Sequence, residues 1–346
     1  MVKEKLSIFK SVLRSFLKAI FVIFGLGIGL AIVMFLFDAM GSGKVPQYSM
    51  QTKEVYLPNA DGELPTNFDT KTPVLLGFDI TGTIGDINLT AQDILGLLTA
   101  SQNGRFKGRV KALVLHINSP GGDAIDSDII YRAIKAYKKK YKIPVYAFVE
   151  GLCASGGFYI ACAADKIYAS YTSVIGSVGV IKAPYFNVAR LMERFGIESK
   201  TFFVGKGKDE MNPFRPWAPD EGQKQLKLMD FFYQTFLDVV VTNRPKLSRT
   251  QIIQDYGANI YAAPEAQALG YIDKAGMDYE GFLTELLTAA DMDASQPYHV
   301  MLMQPKKSFF DFANIEAKFQ SFLNLDFTIP KKLQGKVCYL HTLALQ

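Results

Sequence analysis

The chain has 346 residues, 49% apolar and 21% charged, a balance that fits a folded protein and excludes global disorder. Of its net charge of +5, residues 1–18 hold +4, through Lys3, Lys5, Lys10, Arg14 and Lys18 against Glu4. The remainder is too weakly basic to track phosphates, which excludes nucleic acid as a partner. Three cysteines (Cys153, Cys162, Cys338) without C-x-x-C spacing and three scattered histidines offer neither a disulfide framework nor a metal site, so no metal or cofactor is expected.

Ala19 to Phe37 is a run of 19 residues without a charge. As a helix it spans ~28 Å at about 1.5 Å per residue, close to the hydrocarbon thickness of a bilayer. Basic residues precede the run and Asp38 follows it, so the charge rule predicts an N-terminus inside and everything after residue 38 outside the cytoplasm. A cleaved signal peptide competes, helped by Ala39 and Gly41, but the run exceeds the roughly 7–15 residues of a signal's apolar region. A buried core helix is the plainest alternative. The expected organisation is a basic cytoplasmic tail (1–18), a single-pass anchor in the cytoplasmic membrane (19–37) and a Gly- and Pro-rich linker (38–72). A catalytic domain (73–290) and an extension (291–346) that packs on the domain or on a neighbouring subunit complete it.

From Pro73 the pattern is α/β. Val74 to Ile80 reads as a strand, Ile94, Leu97 and Leu98 as one helical face, and Val110 to Ile117 as a second buried strand. A dense turn follows, Asn118-Ser119-Pro120-Gly121-Gly122-Asp123. Ile129, Ile130, Ala133, Ile134 and Tyr137 then mark a helix that ends in three lysines, suited to a solvated helix C-terminus. Pro144 opens a third strand, Val145 to Val149, followed by Gly151-Leu-Cys-Ala-Ser155-Gly-Gly157 and a small-residue helix. Strand, helix and strand in this order imply a right-handed crossover and a parallel sheet. Both glycine-rich turns then lie at the carboxyl ends of neighbouring strands, where open α/β sheets place their ligands.

The chemistry suggested by those turns is nucleophilic. Ser155 sits at a strand-to-helix turn between Ala154 and Gly156, so its hydroxyl is uncrowded. One backbone N–H near Gly122 and one near Gly156 would form an oxyanion hole. Either turn alone is as consistent with a helix cap or a plain turn; the two together, one strand apart, favour a site. A serine needs a base, and histidine is poorly supplied: His116 lies in a strand, and His299 and His341 lie in segments that look peripheral. A lysine serves once its amine is neutral, and Gly205-Lys206-Gly207-Lys208-Asp209, after the apolar strand-like Thr201 to Val204, supplies two candidates that spacing alone does not separate from surface lysines.

At these residues the chain resembles the S49 serine peptidases, the signal peptide peptidase A and SohB group. Four pieces match in order: N-S-P-G-G at 118–122, A-S-G-G-F-Y-I-A with A-A-D-K-I-Y-A at 154–169, G-S-V-G-V at 176–180, and G-x-x-K-D at 205–209. The resemblance covers roughly residues 73–285. It implies a crotonase- and ClpP-like superhelix of ββα units, with Ser155 as nucleophile and Lys208, which precedes Asp209 in the family manner, as base. It further implies Ser177 as the serine that orients the lysine, Gly122 as an oxyanion donor, and a cyclic homo-oligomer in which serine and lysine meet across an interface. The expected function is endoproteolysis of membrane-associated peptides such as remnant signal peptides. A crotonase-type acyl-CoA enzyme and a membrane scaffold with a dead site are the alternatives.

Three further segments carry weaker readings. Cys153 reads as a small buried hydrophobe. The proline-dense Met211 to Pro219, with the sole tryptophan, reads as a fixed loop, a subunit contact or a border of the substrate groove. Phe309, Phe312, Ile315, Phe319, Phe322 and Leu323 share one helical face, expected to pack against the domain or a neighbour before a membrane.

Overall fold

The computed structural model describes residues 52–66, 69–87, 89–305 and 338–340, together with residues 18, 21, 22, 25, 26 and 29. The chain divides into two compact units, Met1–Ser49 and Met50–Gln346, and the sheet and the site belong to the second. Most of the expected span 19–37 lies outside the described residues, as does the apolar face expected over 309–325. The six described N-terminal positions are helical, and among the described residues no helix is long and apolar enough to cross a membrane.

Three long parallel strands form the middle of the second unit: β2 (Val74–Thr81), β3 (Val110–Ser119) and β5 (Val145–Ala154). Their near-continuous apolar sequences follow from burial on both faces. On one face Val74, Leu76, Phe78 and Ile80 join a cluster with α1 (Ala91–Ala100), α2 (Ala124–Tyr141) and α3 (Gly156–Ala161). On the other, Leu75, Val114, Tyr146 and Phe148 meet Phe282, Leu283, Leu286 and Leu287 of α7 (Tyr279–Ala289). The crossovers run as the pattern predicts. Asp123 caps α2 by accepting from the N–H groups of Ile125 and Asp126, and Lys142 closes the helix in the left-handed region.

The remaining strands extend this core. β6 (Lys166–Ala169) pairs with β5 and with β9 (Lys274–Ala275), while β7 (Val174–Gly176) pairs parallel with the end of β5 and antiparallel with β8 (Ile260–Ala262). The fold is therefore α/β around a mixed sheet. Between β7 and β8 the chain forms a long arm whose two longest helices are α4 (Ala189–Arg194) and α5 (Gln223–Asn243), followed by a short helical turn over residues 249–256, and beyond β8 runs α6 (Ala263–Leu269).

Three expectations are corrected here. Part of the segment read as a linker is β1 (Thr52–Leu57), antiparallel to β10 (His299–Pro305), which lies between β1 and β2. Its alternation is short and flanked by turn residues, so only the partner strand defines it. Second, His299 is not peripheral: it opens β10, is buried, and approaches Arg109 Nη2 at 3.4 Å. Third, Thr201–Val204 forms no strand: among the described residues no strand pairs with it, and its side chains are exposed.

The rim at β6 and β9 depends on one buried charge. Arg244 is buried and donates to Asp273 Oδ2 at 2.8 Å, and the same carboxylate accepts from the N–H of Ile167 at 2.9 Å. Burial pushes the Asp273 carboxyl up, yet the bonds from Arg244 and Ile167 outweigh it and leave its pKa below the ordinary value. Replacing Asp273 by Ala strands the guanidinium. We expect a loss of about 3 kcal/mol, read as a lower urea midpoint at unchanged slope.

Candidate functional site

Ser155 is the first residue after β5 and the last before α3, and its backbone is forced out of both geometries. It has φ 54° and ψ −119°, a conformation that ordinary side chains avoid. The turn is held from both sides: the Ser155 N–H donates to Gly176 O at 2.9 Å, and the Ser155 carbonyl accepts from Tyr159 N at 2.9 Å. Ser155 is buried, and its Oγ has no hydrogen-bond partner among the described residues. A buried hydroxyl without a partner on a strained turn is a poor structural solution and a good reactive one.

The Asn118–Asp123 turn is fitted against it by contacts that leave no room for side chains. Asn118 Oδ1 accepts from Leu152 N at 3.1 Å, which ties the end of β3 to the bend in β5, where a Cβ on Gly151 would meet that oxygen at 2.6 Å. Ser119 Oγ donates to Gly82 O at 2.6 Å and accepts from Gly121 N at 3.1 Å. A Cβ on Gly157 would lie 2.9 Å from Ser119 O, so the helix opened by Ser155 abuts this turn. β4 (Gly121–Asp123) in turn lies so close to the loop after β2 that a Cβ on Gly122 would meet Ile84 O at 2.1 Å. Gly122 and Gly157, one glycine from each motif, are thus required by close backbone approach. Asn118, Ser119 and Ile84 act as the tethers, which the sequence reading had not singled out.

Ser177 follows β7 directly. It is buried, sits at φ 57°, and its N–H donates to Asn259 O at 2.7 Å. Because β7 pairs with the end of β5, Ala154 is opposite Gly176, and Ser177 leaves the same sheet edge as Ser155. Only five non-glycine residues among those described have positive φ, and two of them are the serines singled out from sequence.

Lys208 is not gathered into this cluster. It lies on the arm, is exposed, and is not a partner of Ser155 Oγ. From Gly179 to Thr235 no residue of the arm is buried, although Phe186, Phe195, Phe202 and Phe231 are 72%, 73%, 84% and 63% exposed. Within the arm the Lys208–Asp209 loop is nevertheless organised. Arg215 binds Glu221 through two bonds, at 2.7 and 2.9 Å, and also binds Asp209. Glu221 accepts from Ala218 N at 2.8 Å, and Trp217 Nε1 donates to Asn212 O at 2.7 Å. The bond from Arg215 pulls the Glu221 carboxyl down to about 2 and, with help from Asn212, lowers that of Asp209. Lys206 is exposed on the same loop.

Other reactive groups are occupied elsewhere. Cys153 and Cys162 are buried, and burial raises the first thiol well above its ordinary pKa and the second to about 12, so neither is a thiolate at neutral pH. His116 is lowered to about 4, mainly by burial, and faces the Tyr279 hydroxyl at 3.3 Å. Among the described residues no group of His, Cys, Asp and Glu could hold a metal ion.

Comparison with known proteins gives the site a context. The family model for peptidase family S49 matches residues 137–292, and that for Clp protease matches residues 86–185. A Synechocystis protein that carries the name of a protease is 30% identical over 200 residues, which cover 58% of this chain and 69% of that protein. The chloroplastic serine protease SPPA of Arabidopsis thaliana is 33% identical over 187 residues, 52% of this chain and 26% of that one. A Brucella abortus protein named Na(+)/H(+) antiporter NhaA is 34% identical over 173 residues, 50% of this chain and 23% of that one. The chain thus spans only about a quarter of the length of the last two.

Two outcomes test the local geometry. Ser155→Gly removes the hydroxyl and the strain together; it should raise stability by about 1 kcal/mol in thermal melts. A loss of stability would mean that the turn is not strained. The second concerns acid. Both clamp carboxyls are depressed, so the clamp is complete above the ordinary carboxylate range and is lost as pH falls towards about 2. Emission from Trp217, the sole tryptophan, should hold constant down to about pH 4.5, the ordinary glutamate value, and shift red below it. Arg215→Ala should show the shifted spectrum already at pH 7.

Proposed function

The chain belongs to peptidase family S49, and from that premise we propose that it is a membrane-anchored serine endopeptidase working through a Ser155–Lys208 dyad. What carries this reading is Ser155 itself: a buried hydroxyl at positive φ with no partner among the described residues, abutting a second turn in which Gly122 is fixed by backbone contact. In the proposed reaction Ser155 Oγ attacks the scissile carbonyl and the neutral amine of Lys208 takes the hydroxyl proton. The N–H groups of Gly122 and Gly156 stabilise the oxyanion, and Ser177 orients the lysine. The amine leaves with the proton, and water hydrolyses the acyl-enzyme. No metal or cofactor enters the scheme.

The dyad is completed between copies of the chain. Two observations support this: Ser155 Oγ lacks a partner among the described residues, and the Lys208 arm leaves Phe186, Phe195, Phe202 and Phe231 largely in solvent. Apolar exposure on this scale marks an interaction surface, and a head-to-tail contact of arm on site closes into a ring when its rotation permits. The uncharged run Ala19–Phe37 behind five basic residues supports an anchor with the site on the extracytoplasmic face of the membrane. There the substrates are membrane-associated peptides such as remnant signal peptides.

Mixing tests the nucleophile, the base and the assembly at once. Ser155→Ala and Lys208→Ala should each be folded and inactive on a panel of hydrophobic peptides, while Lys206→Ala retains activity. When the two inactive proteins exchange copies at random, about a quarter of the interfaces carry both wild-type residues, and activity should return in proportion. No recovery, with exchange verified by labelled copies, would place both residues of the dyad in one chain. Full activity of Lys208→Ala would remove lysine from the mechanism. Failure of Ser155 to react with an acylating serine probe would favour a scaffold with a dead site.

A further inference from the structure

A short strand from late in the sequence lies on the turn that carries the Gly122 donor. β11 (Cys338–Leu340) pairs antiparallel with β4, with Cys338 opposite Asp123, Tyr339 opposite Gly122 and Leu340 opposite Gly121. It lies beside α2 and α3, the latter being the helix that Ser155 opens. The two edges of β4 are used differently. Ile84 takes one edge: its N–H donates to Gly121 O, and its carbonyl accepts from Asp123 N, both at 2.9 Å. Backbone polar groups of successive strand residues point to opposite edges, so the N–H and carbonyl of Gly122 face the other edge, where Tyr339 lies.

This pairing does not serve the sheet. β4 and β11 form a separate two-stranded ribbon outside the nine-stranded sheet. A ribbon of two three-residue strands has little stability of its own in water. It does have the geometry by which an extended peptide binds a protein, adding itself as a strand to an open edge. A peptide added along this edge would set one of its residues opposite Gly122, the position that Tyr339 holds.

We propose that Cys338–Leu340 is a resident pseudo-substrate: it occupies the backbone rail along Gly121–Asp123 that an extended peptide substrate uses, and substrate binds by displacing it. The inference rests on the peptidase reading above. It requires no covalent step. Removal of the strand exposes an edge already shaped by Ile84 and Ser119, so competition appears in apparent substrate affinity and not in the chemical step.

The test compares the full chain with a variant lacking residues 338–346, and with Tyr339→Pro, which deletes one strand N–H. On a fluorogenic hydrophobic peptide both variants should show KM lowered at least fivefold with kcat unchanged. A synthetic peptide of residues 332–346 should inhibit the shortened variant competitively. Unchanged KM in both variants would overturn the proposal. Docking is read separately by hydrogen exchange in the inactive Ser155→Ala background. There the Gly122 amide should be protected in the full chain and lose at least tenfold of that protection without residues 338–346. Equal exchange rates would overturn the proposal even where no peptide is cleaved, whereas lost protection without any cleavage would retain the docked strand and remove the peptidase reading.

Discussion

The site depends on how closely three backbones approach one another at the carboxyl ends of β2, β3 and β5. The loop after β2 touches β4 through Ile84, the end of β3 is tied to the bend in β5 through Asn118, and Ser119 ties the β2 loop to both. The first two approaches leave no room for a Cβ at the facing glycine, Gly122 or Gly151. The resulting compression holds Ser155 in a backbone conformation that its own side chain disfavours. Two large apolar layers, one on each face of the sheet, hold that arrangement in place. Strain at Ser155 is thus carried by the core and not by the turn alone.

Much of this was legible in the sequence because it is local. The crossovers announce themselves by apolar runs of the right length, and the two glycine turns by composition. Ser155 and Gly122 could be singled out because each follows a recognisable strand, whereas Ser177 is pointed to by the family resemblance alone. What was hidden is non-local. β1 and β10 meet across most of the chain, so TKEVYL gave no sign of being a sheet edge. His299 reads as peripheral by its position and is buried only because β10 lies between β1 and β2. Asn118 and Ser119 looked like ordinary turn formers; their tethering role appears only when β5 bends beside them.

The lysine illustrates a different limit. Lys208 stands out by its motif, yet nothing among the described residues engages its amine, and its loop is arranged instead by Arg215 and Glu221. Arg215 lies in the proline-dense segment and Glu221 just beyond it, and their pairing is a matter of loop closure over six residues. The arm is thus internally ordered but outwardly unfinished. Its structure is local, and its apolar surface faces solvent.

That unfinished arm has a consequence for rate laws. On the reading proposed above, nucleophile and base come from different copies, and the population of complete sites follows the association equilibrium of the chains. Catalytic output then rises faster than linearly with the amount of protein until assembly saturates. A cell that makes only a few copies would hold an inert pool, and confinement of the copies to a membrane plane would raise their effective concentration. Expression level and two-dimensional crowding would thereby set a threshold for proteolysis.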